Sequence, residues 1–216
     1  MKTDRIVSLV LWLVMVGLSI WAHLHLPDAP LPTHYGIDGQ ADNFMPRDQA
    51  LAVLPGIALV LLLVMWGIAA IMPKKVTPAR FAEVYGTIIV ATALLMAVIH
   101  LVMILHALGF PVDPSRGAMF ALGGFLMVLG NFLPKLRRNY VMGIRTAWTI
   151  ADERVWEKTH RFAGPWFMLG GAAVIGATFV PDRSLGTGLM IFALVIPSVA
   201  CVVYSYLVSR ALKLTP

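Results

Sequence analysis

Apolar residues run along this chain in six long blocks separated by polar connectors. The blocks cover 6–26, 50–72, 83–108, 117–133, 162–180 and 185–209. About 20 apolar residues, rising 1.5 Å each, cross a hydrocarbon core of about 30 Å. Each block is therefore predicted to be a membrane helix. Lipid offers no partner to backbone polar groups, so only helices and closed barrels span it. Barrel strands would alternate polar and apolar positions, which Leu51 to Met72 does not do. The pattern predicts an all-α integral membrane protein, a six-transmembrane-helix bundle. The first block exceeds the 7–15-residue core of a cleaved signal peptide, and no small-x-small site stands out before Pro27, so it is expected to persist as the first helix.

Composition agrees: 59% of the 216 residues are hydrophobic and 13% are charged, against about a quarter charged in a soluble chain. A soluble enzyme is excluded on that ground. A lone cysteine, Cys201, rules out an internal disulfide and cysteine-rich metal sites. The net charge of +6 becomes informative once it is placed along the chain. Fourteen of the seventeen lysines and arginines fall in the N-terminus, 73–82, 134–161 and 210–216; Arg47, Arg116 and Arg183 are the others. Basic residues mark the cytoplasmic side, so both termini are predicted to be cytoplasmic (N-in/C-in). The basic charge then reports topology, and no direct nucleic-acid contact is expected.

Two connectors are long, 27–49 outside and 134–161 inside. Each follows the first helix of a three-helix half, dividing the chain into 1–110 and 111–216 and raising a 3+3 inverted repeat of the kind found in transporters. In the outer loop, Pro27, Pro30 and Pro32 favour extended backbone, while Gly36 and Gly39 permit tight turns. His34, Tyr35, Asp38 and Asp42 are its candidate ligand-binding residues. Three readings stand for them: an Asp-stabilised turn with a surface histidine, a cation site, or recognition of a peptide or lipid. The Asp spacing is not that of an EF-hand. In the inner loop, Thr149-x-x-Asp152 reads as a capping box opening a short helix into the fifth span. Arg145, Trp148 and Trp156 are types enriched at binding hot spots; tryptophans at headgroup depth beside anionic lipid are the alternative.

The run Gly130-Asn131-Phe132-Leu133-Pro134, followed by Asn139-Tyr140, Gly143-Ile144-Arg145-Thr146, Trp148-Thr149, Val155-Trp156 and Thr159-His160, resembles the signature half of SdpI-family membrane proteins. Pro32, His34, Tyr35, Gly39 and Asp42 resemble the domain of unknown function that forms their N-terminal half. Ala147 departs from the pattern, since many relatives carry proline there, and a less rigid loop is expected. The resemblance implies a non-enzymatic protein of the bacterial cytoplasmic (inner) membrane acting in immunity or signal transduction. It would bind a secreted toxin or peptide outside and a repressor inside. The partner-binding candidates it brings forward are Asn131, Asn139, Arg145, Thr146, Trp148, Trp156 and His160.

Within the spans, His100 lies about 12 Å from the outer end of the third helix and is a candidate by depth alone; a neutral, hydrogen-bonded histidine is the plainer reading. Pro197 is expected to interrupt the sixth helix, with Ser198 compensating. Ala93-x-x-x-Ala97 and Ala172-x-x-x-Gly176 are expected to allow close helix approach. Two other functions are weighed. A small secondary transporter would use the repeat, His100 and the Pro197 break. A metal-dependent membrane enzyme would rest on His34 and Asp42. No His-Glu-x-x-His motif or Gly-x-Ser-x-Gly elbow accompanies them, and no cofactor is expected.

Overall fold

A computed structural model describes residues 2–71, 79–139 and 141–213. Lys74, Lys75 and Tyr140 lie outside the described residues. The chain forms α1 (Lys2–His25), β1 (Leu31–Tyr35), β2 (Ala41–Met45), α2 (Arg47–Ile71), α3 (Ala79–Ala107), α4 (Pro114–Phe132), a 3₁₀ turn at Leu133–Lys135, α5 (Ala147–Ala151), α6 (Glu153–Ala177) and α7 (Arg183–Ala211).

Five of these helices, α1 to α4 and α7, are long and apolar enough to cross a membrane. Helix α6 has 25 residues, but Glu153, Arg154, Glu157, Lys158 and Arg161 occupy its first turns. The predicted fifth span, 162–180, is only the apolar remainder of this helix, which continues from the polar face without a break.

The helices pack in sequence order. Helix α1 lies on α2 and α3, α4 on α6, and α6 on α7, with α3 against α4 joining the two halves. The closest approach is between α4 and α6. A Cβ built at Gly123 would stand 2.7 Å from Gly171 O, and one at Gly130 would stand 2.7 Å from Gly164 O. Gly123 and Gly130 are seven residues apart, as are Gly164 and Gly171, so each pair falls on one face two turns apart. Without side chains there, the backbones themselves touch, which favours dispersion contacts in a setting that lacks a hydrophobic drive between helices. The sequence pointed to Ala172 and Gly176 for this role, but a Cβ at Gly176 would meet nothing within 4 Å.

Pro197 does not interrupt α7, which runs unbroken through it. Proline removes one backbone donor and leaves the carbonyl four residues earlier without it. That carbonyl, Ala193 O, faces Gly170 of α6, where a Cβ would come within 2.7 Å, and Ser198 Oγ donates to Leu194 O at 2.8 Å.

The main apolar cluster spans both halves, with Leu62, Val84, Ile89, Leu133, Trp156, Ala163 and Cys201 among its buried members. A second, with Ala22, Leu26, Leu31, Leu51 and Ile104, seats the hairpin on α1 to α3. His100 sits between α1 and α2. Ser19 Oγ donates to Leu51 O at 2.8 Å, so the 2.9 Å contact between Ser19 Oγ and His100 Nε2 uses the imidazole N–H. His100 of α3 is thereby tied to α1 and, through Ser19, to Leu51 of α2.

Candidate functional site

Successive helices run in opposite directions, so connectors gather on two faces. One carries the β-hairpin with the 108–113 and 178–182 connectors; the other carries the described residues of 133–152, the start of α1 and the end of α7.

On the hairpin face, β1 and β2 pair antiparallel, Leu31 opposite Met45 and Tyr35 opposite Ala41, with irregular register around His34. The turn between them is built by small and acidic residues. Gly36 N–H donates to Gln40 O at 2.8 Å and Gly39 N–H to Gly36 O at 2.9 Å. Gly39 takes φ +71°, and Asp38 Oδ1 accepts from Gln40 N–H. His34 Nδ1 meets Asp42 Oδ1 at 2.5 Å across the strands, both side chains more than half exposed. The four outer candidates thus divide. Asp38 holds the turn, His34 and Asp42 pair at the surface, and Tyr35 turns inward, where burial and then the Asp113 carboxylate push its hydroxyl pKa up. No group of three His, Cys, Asp or Glu among the described residues could hold a metal ion, so His34, Asp38 and Asp42 do not converge on a cation.

Arg183, which did not figure among the sequence candidates, anchors this face. Its guanidinium donates to Gly39 O at 2.9 Å and meets Asp113, the cap of α4, at 3.0 Å. Arg116 adds a bond to Val180 O at 3.0 Å. Beneath β1 lies a cavity of about 520 Å³ between α2, α3, α4 and α7, walled by apolar side chains such as Leu54, Ile99, Met119 and Leu122.

On the opposite face, most of the signature residues build their own loop. Asn139 Oδ1 accepts from Val141 and Met142 N–H, both at 2.8 Å, an Asx turn that reverses the chain. Gly143 has φ +111°, and a Cβ there would lie 2.5 Å from His160 Nε2, so only glycine fits. Ile144 N–H donates to His160 Nε2 at 3.0 Å, leaving Nδ1 to donate to Trp156 O at 2.9 Å. His160 is therefore the neutral Nδ1–H tautomer, stacked on Trp156 with centroids 4.1 Å apart. Trp156 Nε1 donates to Leu136 O at 2.8 Å. Both rings are sealed, at 0% and 1% exposure. The headgroup-depth reading of Trp156 is thereby corrected: it lies inside the protein.

The capping box sits three residues earlier than the sequence suggested. Thr146 and Thr149 cap α5 reciprocally, and Asp152 separately caps α6 through Arg154 and Val155 N–H. Arg154 at its side holds the Asp152 carboxyl at about 2. Ala147 occupies the first position of α5, where proline is well tolerated, so its departure from the family pattern leaves the geometry intact. Thr146 also reaches Ser205 of α7 at 3.1 Å, and Trp148 packs edge-on against Tyr206. Arg138 donates to Ile150 and Ala151 O at the end of α5, and Arg137 pairs with Glu157.

Two signature residues are left over. Arg145 and Asn131 are exposed, and neither side chain has a hydrogen bond or ion pair among the described residues. Trp148, three residues on, is half-buried.

Residues 135–205 match the SdpI/YfhL protein family, and residues 10–59 match a domain of unknown function, DUF1648. The chain is 23% identical to the immunity protein SdpI of Bacillus subtilis (strain 168) over 199 residues, covering 91% of this chain and 93% of that protein. It is 31% identical to the uncharacterized protein YfhL of the same strain over 96 residues, 43% of this chain and 84% of that protein. No solved structure matches. With the signature loop in place and both matched regions in order, the chain belongs to the SdpI/YfhL protein family.

Proposed function

We propose that this is a membrane immunity protein that meets a secreted toxin or peptide at its hairpin face and a cytoplasmic partner, such as a repressor, at its signature loop. Similarity over nearly the whole length to an immunity protein supports the immunity role. In this reading all six long helices cross the inner membrane, the hairpin lies outside and both termini lie in the cytoplasm, as the distribution of lysine and arginine favours. The halves 1–110 and 111–216 then carry one contact surface each.

The observation that carries the inner contact is Arg145. The loop uses Asn139, Thr146, Thr149, Trp156 and His160 to fix its own shape, yet holds Arg145 in solvent with no partner among the described residues. An exposed, unpaired guanidinium suits an acidic or planar group on another protein. At the other face, counting side chains outside the spans, acids outnumber bases. That favours approach of a cationic peptide, at a strength that falls with salt.

Toxin-sensitive cells expressing the wild-type chain should survive a secreted peptide toxin that kills cells carrying an empty vector; equal killing overturns the immunity role. Arg145→Ala should keep that protection at unchanged membrane abundance while losing recruitment of the cytoplasmic partner, and full recruitment overturns the docking surface. Topology is checked separately. Cys201 is buried, so an impermeant maleimide on intact cells should label Asp38→Cys and spare Arg145→Cys.

A further inference from the structure

We infer that the slot beneath the hairpin holds one acyl chain of a membrane phospholipid, drawn from the leaflet on the hairpin side. The inference needs only that the helices cross a bilayer and is independent of what either face binds.

The slot begins under Thr33 and Tyr35 of β1 and beside Ser115 and Thr187, close to the starts of α4 and α7. It descends to Leu122, eight residues along α4 from Pro114, and to Leu95, twelve residues before the end of α3. At 1.5 Å per residue these depths are about 12 and 18 Å. Half of a hydrocarbon core of about 30 Å is about 15 Å, so the slot is one leaflet deep. Its polarity follows the same axis, with hydroxyl groups at the mouth and aliphatic side chains below.

Volume and access fit the same occupant. Some 520 Å³ suits a small-molecule site, but a void with so apolar a wall offers water almost no partner, and left empty it would forfeit dispersion contacts along its length. A chain can enter sideways. Val53 and Ile57 line the slot and also a shallow groove on the outer surface of α2 with Gly56, Val60 and Leu61, and Ile57 is 47% exposed. Val53 and Ile57 therefore stand between the slot and the surface that faces lipid, where an entering chain would pass. At the mouth, Tyr35 Oη is buried with no hydrogen-bond partner among the described residues, a donor placed where the ester carbonyl of a seated lipid would lie. Arg116 and Arg183 nearby both engage the Asp113 carboxylate and backbone carbonyls, so neither is free to select a headgroup by charge.

The test uses the full-length protein in phosphatidylcholine nanodiscs doped with a phosphatidylcholine that carries a diazirine midway along one acyl chain. After photolysis, adducts are mapped by mass spectrometry. The wild type should concentrate adducts on Leu54, Ile99 and Leu122 above the level at Val60, which is 61% exposed on α2. Ala118→Trp fills the slot, and excluding about two methylenes from apolar surroundings should cut adducts at the lining about tenfold while leaving Val60 unchanged. Ala118→Leu, a smaller filling, should give an intermediate loss and serves if the tryptophan variant fails to fold. Lining adducts no higher than at Val60 in the wild type, or unaffected by either filling, would overturn the assignment. So would their displacement by an added polyleucine peptide with Val60 unchanged, which would mark the slot as a peptide site.

Discussion

The two long connectors solve the same problem, ordering more than a dozen residues at a membrane surface, by opposite means. The hairpin is held through its backbone groups: strand pairing, a glycine turn whose Gln40 N–H is received by Asp38, and the Gly39 carbonyl, which accepts from the Arg183 side chain. Its side chains His34, Asp38 and Asp42 remain outside. The signature loop is held by side chains: Asn139 bends it, His160 and Trp156 receive it, and Thr146 ties it to α7. Its aromatic and imidazole rings are inside. The hairpin's matching residues thus divide between the turn, the inward Tyr35 and the exposed His34–Asp42 pair, whereas those of the signature loop mostly hold the loop up, with Arg145 and Asn131 as the projecting exceptions.

Substitutions should separate the two kinds of order. Trp156→Ala removes a fully buried ring and should cost about 3–5 kcal/mol, read as a large loss of monodisperse protein after heating in detergent. A loss no greater than for an exposed residue would show the loop is not keyed by this ring. Gly143→Ala forces a side chain into a left-handed backbone against His160 and should cost about 1–3 kcal/mol, with increased proteolysis between Arg137 and Arg154 and none added at the hairpin. His34→Ala should change stability by only about 0–1 kcal/mol, as expected for an exposed pair; a larger effect would mean that the hairpin also depends on side chains.

The smallest effect is a pH response at the start of α6. Asp152 has its pKa lowered from 3.8 to about 2, so the folded state favours the ionised cap. Its contribution is present above pH 3.8 and is lost as the pH falls through about 2. Relative to Asp152→Asn, hydrogen exchange of residues 154–156, corrected for intrinsic rate, should show an added quickening only below about pH 4. Burial lowers the His160 pKa to about 4, so its contribution is lost between about pH 6.5 and 4 in both proteins; an Asp152-dependent rise in that window would overturn the assignment to the cap.

The helices were legible because lipid imposes a long uninterrupted apolar signal. The hairpin was not, because Pro32, Asp42 and Asn43 are poor strand formers and their pairing is set by docking on Leu26, Ala50 and Leu51. Trp156 and His160 were read as surface groups because charged neighbours surround them in sequence. Their spacing of four, continued at Gly164 against α4, was the signal of a buried face. The capping box was placed three residues late because threonine and aspartate each cap a helix here, and only the chain's path shows that there are two.

By itself the sequence determined the solvent this protein folds in and where five of its long apolar helices run, since both follow from runs of residue type that lipid and water sort directly. Only the tertiary structure decided which signature residues face inward, that α4 and α6 meet through Gly123, Gly130, Gly164 and Gly171, and that a leaflet-deep slot opens beneath Tyr35. Those depend on which faces of separate helices meet, and contacts between distant segments leave no mark in local pattern.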